Sequence, residues 1–246
     1  VTFTVTKVNG VANGASVTSA QGINNTLAQK LKKVAVVEEL TGTKCGWCPR
    51  GHVAMHNLSE KYGDQFIGIA MHQFSKTDPM YITDYDLGLP GAPSAIVDRT
   101  TLGDPYYNMP AAVEAALANY PEATVSVSGQ YNADSTQVEA TATVTSLVSG
   151  QYEVAYMLVA DGLNGKTSSW KQANYYSKTQ GAFKSKSELP EDLQYLWDEP
   201  TTYNQVYNDV LIASSYSASK NHAEFGEFIE LSLIHISEPT RRTPIS

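Results

Sequence analysis

The stretch of sequence that decides the fold reads Val34-Ala35-Val36-Val37-Glu38-Glu39-Leu40-Thr41-Gly42-Thr43-Lys44-Cys45-Gly46-Trp47-Cys48-Pro49-Arg50-Gly51. Its β-branched beginning is typical of a strand that is buried on both faces of a mixed sheet. The polar residues 41–44 predict a short loop. Apolar residues at helical spacing then predict a helix from Cys45 to Tyr62, ended by Gly63 and Asp64. The two cysteines are therefore expected where a loop enters a helix.

A Cys-x-x-Cys pair serves thiol–disulfide exchange or zinc binding, and its surroundings favour exchange. The N-terminus of a helix offers unpaired N–H groups and partial positive charge, which stabilise a thiolate. Further along, Ala92-Pro93 directly precedes a predicted strand at 94–97. A proline in this position predicts a cis Ala92–Pro93 peptide bond beside the cysteines, and an ordinary trans proline turn is the alternative.

Two histidines extend the pair to a zinc-like pattern, Cys45, Cys48, His52 and His56. On one continuous helix this set spans about 16 Å at about 1.5 Å per residue. Zinc–ligand bonds of about 2.0–2.3 Å cannot join its two ends through one ion. A partial site of Cys45, Cys48 and His52 stays open, but we expect His52 to tune the cysteines or simply to pack. His72, at a strand end, is expected to be structural.

Composition narrows the classes of function. The chain has 246 residues with 17 Lys+Arg against 25 Asp+Glu, a formal charge of -8, and no basic cluster. A phosphate backbone attracts the opposite charge, so nucleic acid is disfavoured as a partner. The two cysteines are too few and too close for a disulfide scaffold. No apolar run is long enough to cross a bilayer.

The pattern along the chain predicts two domains joined near Pro121. Residues 31–121 alternate strands and helices, with a further strand at 66–71 and an Ala-rich helix at 110–120. Long alternating strands at 124–131, 137–147, 152–160 and 209–214 follow without intervening helices. They predict an all-β, sandwich-like and truncated domain over 122–230. Residues 1–30 are interpreted as the end of an upstream β module and its linker.

The order strand, CGWC, helix and X-Pro-strand resembles the thioredoxin superfamily. Within it, residues 37–51 look like the Omp-twenty-eight-related outer-membrane proteins of the Bacteroidota. Those proteins are similar also in a β region with a Trp-Lys-Gln and Asn-Tyr-Tyr stretch, matched here at 170–172 and 174–176. The similarity covers about residues 33–180. It implies a thioredoxin-like core in an exported, envelope-associated protein of the periplasm, outer membrane or cell surface, with any lipid anchor upstream of Val1.

The resemblance also implies roles for individual residues. Cys45, exposed at the helix start, is expected to be the attacking thiolate, and the more buried Cys48 to resolve the mixed disulfide. Glu39 occupies the place of a buried acid that handles the proton of the resolving thiol. Burial raises the pKa of such an acid, and a solvated carboxylate at the strand end is the alternative.

Three further residues are expected to contact a substrate chain. Trp47 is predicted to be an exposed aromatic platform, with packing back onto the loop as the alternative. Ala92 lends its backbone to an extended substrate, and Pro93 keeps metals from the thiols.

The leading functional hypothesis is an extracytoplasmic thiol–disulfide oxidoreductase that needs no cofactor or metal and acts on protein or peptide thiols and disulfides. A surface binding or adhesion module with a vestigial redox fold is the second hypothesis. A copper- or zinc-handling protein that uses the thiols as soft ligands is the third.

The end of the chain has a different character. Residues 231–241 read Leu-Ser-Leu-Ile-His-Ile-Ser-Glu-Pro-Thr-Arg, which resembles the translation of a transposase-type sequencing adapter. We therefore interpret 231–246 as a non-native tail that carries no function. At most one strand or helical turn is expected there, because Pro239 and Pro244 interrupt longer elements.

Overall fold

The fold comes from a computed structural model. It describes residues 31–131, 133, 138–147 and 152–215. It also describes the backbone of six short strands near the two ends of the chain. The four N-terminal ones are β1 (Phe3–Thr4), β2 (Lys7–Val8), β3 (Val11–Ala12) and β4 (Ser16–Val17).

The remaining strands, in chain order, are β5 (Ala35–Thr41), β6 (Phe66–His72), β7 (Ser94–Val97), β8 (Thr101–Gly103), β9 (Ala123–Tyr131), β10 (Val138–Ser146), β11 (Tyr152–Ala160), β12 (Gln172–Ala173), β13 (Thr202–Tyr203), β14 (Val210–Ser214), β15 (Phe228–Ile229) and β16 (Ile236–Pro239). The α-helices of the described residues are α1 (Pro49–Tyr62), α2 (Met109–Leu117) and α3 (Tyr195–Asp198). None of them is long and apolar enough to cross a membrane.

The architecture is a mixed α/β fold built on one central sheet. Its strand order is β11-β14-β6-β5-β7-β8, with β15 and β16 added beside β11. β5 runs parallel to β6 and antiparallel to β7, and β7 is antiparallel to β8. The predicted strands at 34–37, 66–71 and 94–97 are therefore confirmed, and this part of the sheet is consistent with a thioredoxin-like α/β fold.

The separate sandwich-like domain expected over 122–230 is not confirmed. β14 is parallel to β6, with Val210 opposite Ala70, and β11 is antiparallel to β14. Both strands thus continue the central sheet, whereas β9 and β10 pair with each other. The alternating pattern identified the strands correctly, but a strand pattern does not specify which edge the strand will join.

The core lies on both faces of this sheet because successive side chains of a strand point to opposite faces. On one face, Ala35 and Val37 of β5 pack with Met55 and Leu58 of α1 and with Val113 of α2. The other face is covered by a second cluster from the β6, β11 and β14 strands and the 80–89 region: Ile69, Met71, Ile82, Tyr85, Ala155, Met157, Val159 and Leu211.

Helix α1 begins four residues later than the sequence predicted. Pro49 occupies its first turn, where the missing N–H costs no hydrogen bond, and Cys48 is the N-cap residue. Cys45 instead lies in a turn, in which its N–H donates to the carbonyl of Gly42 and Cys48 N–H donates to the carbonyl of Cys45.

The two ends of the chain are described only as short strands. β1 pairs with β4 and β2 with β3, both antiparallel. Residues 18–30, interpreted as a linker, lie outside the described residues. In the segment 231–246, β16 runs parallel to β11, and the other residues of that segment lie outside the described part.

Candidate functional site

The two cysteines form a disulfide at the start of α1. The carbonyl of Cys48 accepts hydrogen bonds from the N–H groups of Gly51 and His52, at 2.8 and 3.2 Å. Cys45 is only 2% exposed and Cys48 is 0% exposed. The expectation that Cys45 is exposed is therefore wrong for this structure, because a distant segment of the chain covers the loop that carries it.

That segment comprises residues 172–176, which we call the strap. The N–H of Ala173 donates to the carbonyl of Thr43 at 2.7 Å, and the N–H of Tyr175 donates to the carbonyl of Gly46 at 2.9 Å. The strap includes part of the Trp-Lys-Gln and Asn-Tyr-Tyr stretch that the sequence singled out. Sequence spacing gave no sign that this stretch lies on the CGWC loop.

Glu39 lies in β5, two residues before the end of the strand. Its side chain is 0% exposed, and neither carboxyl oxygen has a hydrogen-bond partner. Burial, reinforced by the negative charges of Asp104 and Asp209, raises the pKa of Glu39 well above its usual range, against an opposing effect of Arg50. Glu39 is thus a buried acid with a raised pKa, as expected from the resemblance, and the solvated alternative is excluded.

Gly51 sets the approach of Glu39 to helix α1. A Cβ atom added at position 51 would overlap Oε1 of Glu39 and press on the ring of Pro105. Only glycine lets the helix pass this close to the carboxyl group, one turn after Cys48. Sequence reasoning missed Gly51, although a glycine inside a predicted helix is a signal of close approach.

A cavity of about 440 Å³ lies beside Glu39, between α1 and the sheet, and His52 and His72 also line it. Nδ1 of His72 bonds Oδ2 of Asp78 at 3.0 Å, and its buried Nε2 has no hydrogen-bond partner. Nε2 of His52 lies 3.2 Å from Oγ1 of Thr41. Burial, helped by the neighbouring His72, lowers the pKa of His52 to about 3. The two histidines therefore line the same cavity as the buried acid.

Asp78 shows the opposite shift from Glu39. Burial tends to raise the pKa of Asp78, but hydrogen bonds from His72 and from the N–H groups of Thr43 and Met80 outweigh it, so the pKa is lowered. Asp78 is thus an ionised carboxylate that orients His72. In the described part of the chain, no three His, Cys, Asp or Glu side chains come together in a way that could hold a metal ion.

Glu38, the neighbour of Glu39, faces the other side of the sheet. Its Oε2 accepts a hydrogen bond from Nε of Arg99 at 2.9 Å, and its Oε1 accepts one from the hydroxyl of Tyr85. This carboxylate is 1% exposed and fully paired. The two neighbouring glutamates thus point to opposite faces of the sheet.

Trp47 is 36% exposed and lies between the cysteines. Its ring makes edge contacts with Tyr175, Tyr176 and Phe183, with centroid distances of 5.5, 5.3 and 6.2 Å. The Arg50 guanidinium lies 5.8 Å from the Trp47 centroid and is held by Asp104 at 2.6 Å. Trp47 is thus partly exposed, as a platform needs, and also packs back on the chain.

The Ala92–Pro93 peptide bond is cis, as the sequence predicted. Pro93 directly precedes β7, whose Ser94 lies opposite Leu40 of β5. Because β5 ends one residue after Leu40 and continues into the CGWC loop, Pro93 lies at the same end of the sheet as the cysteines. The structure therefore brings Pro93, Cys45 and Cys48 to one end of the sheet.

Comparison with known proteins finds two distant structural neighbours. No protein-family model matches the chain, and no curated protein matches it in sequence. HBP35 of Porphyromonas gingivalis is similar in structure, with 18% identity over 76% of this chain and 57% of that protein and a TM-score of 0.47. A protein of Agrobacterium tumefaciens has 17% identity over 55% of this chain and 66% of its own, with a TM-score of 0.38. The chain thus spans under two thirds of the length of either.

Proposed function

We propose that this chain is a thiol–disulfide oxidoreductase that acts outside the cytoplasm on disulfides and thiols of proteins. One observation carries the proposal: the Cys45–Cys48 disulfide caps helix α1, and the unpartnered carboxyl group of Glu39 is buried against the same helix at Gly51. An isolated carboxyl group in such a place costs stability unless it stays neutral. A cysteine pair beside a neutral acid is the arrangement that proton-coupled exchange requires.

The reaction proceeds in two exchanges when the pair starts reduced. The Cys45 thiolate attacks one sulfur of a substrate disulfide, so that a mixed disulfide forms and the other substrate sulfur leaves as a thiolate. Cys48 then loses its proton to a Glu39 carboxylate and attacks Cys45. The Cys45–Cys48 bond forms, the second substrate thiolate leaves, and two electrons have moved to the substrate.

In the reverse direction, a substrate thiolate attacks Cys45 of the disulfide, and Cys48 leaves. Glu39, protonated in the folded state, supplies the proton to the Cys48 sulfur. The same group thus serves as base in one direction and as acid in the other, which suits a carboxyl group whose pKa is raised toward neutrality. The reduction potential of the partner decides the direction.

Substrate contacts are assigned to the end of the sheet where the loop lies. Trp47 offers the open face of its ring, and the backbone of Ala92, before the cis bond to Pro93, is available to an extended substrate chain. The family resemblance supports an exported protein of the periplasm, outer membrane or cell surface.

The test is reduction of insulin disulfides by dithiothreitol in the presence of the purified chain. Catalysis by the wild type and its loss in Cys45→Ser and in Cys48→Ser support the proposal. Since the chain has two cysteines, the double variant carries no thiol and gives the true background. Equal rates for the wild type and the double variant would overturn the proposal.

Burial of both cysteines favours a second candidate, a surface binding module whose disulfide only stabilises the CGWC loop. Under this alternative, removing the disulfide lowers the stability of the chain, and insulin reduction stays at background.

A further inference from the structure

The strap bonds to the backbone of the CGWC loop at successive carbonyl groups. Besides the bonds to Thr43 and Gly46, the side-chain amide of Gln172 donates to the carbonyl of Cys45 at 2.8 Å. The hydroxyl of Tyr176 donates to the carbonyl of Trp47 at 3.3 Å. The strap therefore uses the acceptors that an extended substrate chain would need at this side of the loop.

Tyr175 lies directly on the middle of the motif. A Cβ atom at position 46 would overlap the Tyr175 ring, so the ring rests on the glycine next to Cys45. The other side of Tyr175 faces solvent, and 42% of the residue is exposed. At this point a single side chain, the Tyr175 ring, thus separates the CGWC loop from solvent.

The residues on either side of Tyr175 are held in place by contacts with other parts of the fold. Gln172 and Ala173 form β12, which pairs with β13, and the Asn174 side chain donates to the carbonyls of Leu196 and Pro200 at 2.8 and 3.2 Å. Gln172, Asn174 and Tyr176 are buried, with exposures of 0%, 0% and 2%. Tyr175 is therefore the part of the strap that can turn away while its neighbours stay in place.

We propose that the strap is an intramolecular cover that regulates access to the Cys45–Cys48 disulfide, and that a substrate has to displace Tyr175 before exchange begins. This inference rests on the proposed function and adds its regulation. Exchange requires an attacking thiolate to reach a disulfide sulfur, and both cysteines are buried under the strap. The partner that opens the site is an extended polypeptide that takes the place of the Tyr175 ring on Gly46 of the loop.

The experiment measures the rate at which dithiothreitol reduces the Cys45–Cys48 disulfide, by quenching with an alkylating reagent and counting labelled thiols by mass. We expect Tyr175→Ala to be reduced at least about tenfold faster than the wild type, which corresponds to loss of one aromatic contact of about 1.4 kcal/mol. Tyr175→Phe keeps the ring and should stay close to the wild-type rate. Tyr120→Ala, at an exposed tyrosine after α2, is the control for a general effect.

A second reductant separates a cover from a general loosening of the fold. A reduced thioredoxin-type protein is larger than dithiothreitol, so the gain in Tyr175→Ala should be greater with it. Unfolding in urea shows whether Tyr175→Ala keeps the stability of the wild type. If the gain in reduction rate is explained by a lower free energy of unfolding, the proposal of a cover is overturned.

The outcome can be told apart from that of the proposed function. Insulin reduction by the wild type with no change in disulfide access in Tyr175→Ala overturns the cover and leaves the oxidoreductase standing. Faster disulfide reduction in Tyr175→Ala without insulin reduction by any variant supports the cover and overturns the oxidoreductase.

Discussion

Glu38 and Glu39 are adjacent residues of one strand, equally buried, yet their surroundings are opposite. Glu38 meets Arg99 and Tyr85 on one face of the sheet, so its carboxylate is ion-paired and hydrogen-bonded. Glu39 meets Gly51 on the other face and has no hydrogen-bond partner. One face carries a paired carboxylate that holds the fold together, and the other carries an unpartnered acid whose pKa burial raises.

The comparison teaches that a buried acid is structural or functional according to what its neighbours leave unsatisfied. A paired carboxylate holds its partners in place through charge-assisted hydrogen bonds. An unpaired one accepts and releases a proton with little rearrangement around it. Substitutions at the two positions should therefore separate stability from exchange.

The largest expected effect is on stability at Glu38. Glu38→Gln removes the carboxylate partner of Arg99 and should lower the free energy of unfolding by about 3 kcal/mol. This value is the lower end of the range for breaking a buried ion pair, because Arg99 is partly exposed. Glu39→Gln replaces a neutral acid with a neutral amide and should cost less than about 1 kcal/mol. Urea unfolding measures both, with exposed Glu114→Gln as the control. Equal losses at both positions would contradict the comparison.

The next effect is on exchange at Glu39. Because an amide neither accepts nor supplies a proton, Glu39→Gln should slow insulin reduction by about 10²-fold, the lower range for a general acid or base. Glu38→Gln, assayed where it is folded, should retain the wild-type rate. A Glu39→Gln variant as fast as the wild type would exclude Glu39 from the reaction.

A third variant tests the contact between Glu39 and the helix. Gly51→Ala forces the Glu39 carboxyl group away and should lower the free energy of unfolding by about 1–3 kcal/mol, as overpacked sites do. In a Glu39→Ala background the carboxyl group is absent, so Gly51→Ala meets no such clash and should be close to neutral. Any remaining cost is offset because alanine is the better helix former by about 1 kcal/mol. The double-mutant cycle gives the coupling; no coupling would show that the two side chains are independent.

The last effect is a gradual one, a pH dependence of the free energy of unfolding. Above the unfolded pKa of about 4.3 the unfolded chain loses the Glu39 proton, whereas the folded chain keeps it. The free energy of unfolding therefore falls as pH rises, by at most about 1.4 kcal/mol per pH unit, until the raised folded pKa is passed. Urea unfolding from pH 4 to pH 8 should show this slope in the wild type and its absence in Glu39→Gln. A slope that persists in the variant has another source.

Local chemistry explains what the sequence predicted well. The strands at 66–72 and 94–97, helix α2 and the cis Ala92–Pro93 bond each follow from a short apolar run or a proline with its neighbours. Burial of Glu39 was implied by the family resemblance, which places a buried acid at that position.

The remainder depends on contacts between distant segments. Nothing near Cys45 indicates that Tyr175 will cover the loop, and nothing near Glu38 indicates that Arg99 will reach it. Likewise, the sequence of β14 has an ordinary strand pattern, and that pattern does not predict that β14 lies beside β6. These partners are selected by the packing of the whole chain, for which short-range periodicity holds no information.

The place of β14 beside β6 has a consequence for synthesis of the chain. A ribosome releases β5, β6 and β7 long before Val210, the residue that pairs with β6. During that interval the edge of β6 has unpaired N–H and C=O groups, and Ile69 and Met71 lack the cover of Met157 and Leu211. Nascent chains in this state are prone to aggregate, and contacts so far apart in sequence form slowly. A nascent chain of this protein is therefore most prone to aggregation before its last central strand has emerged.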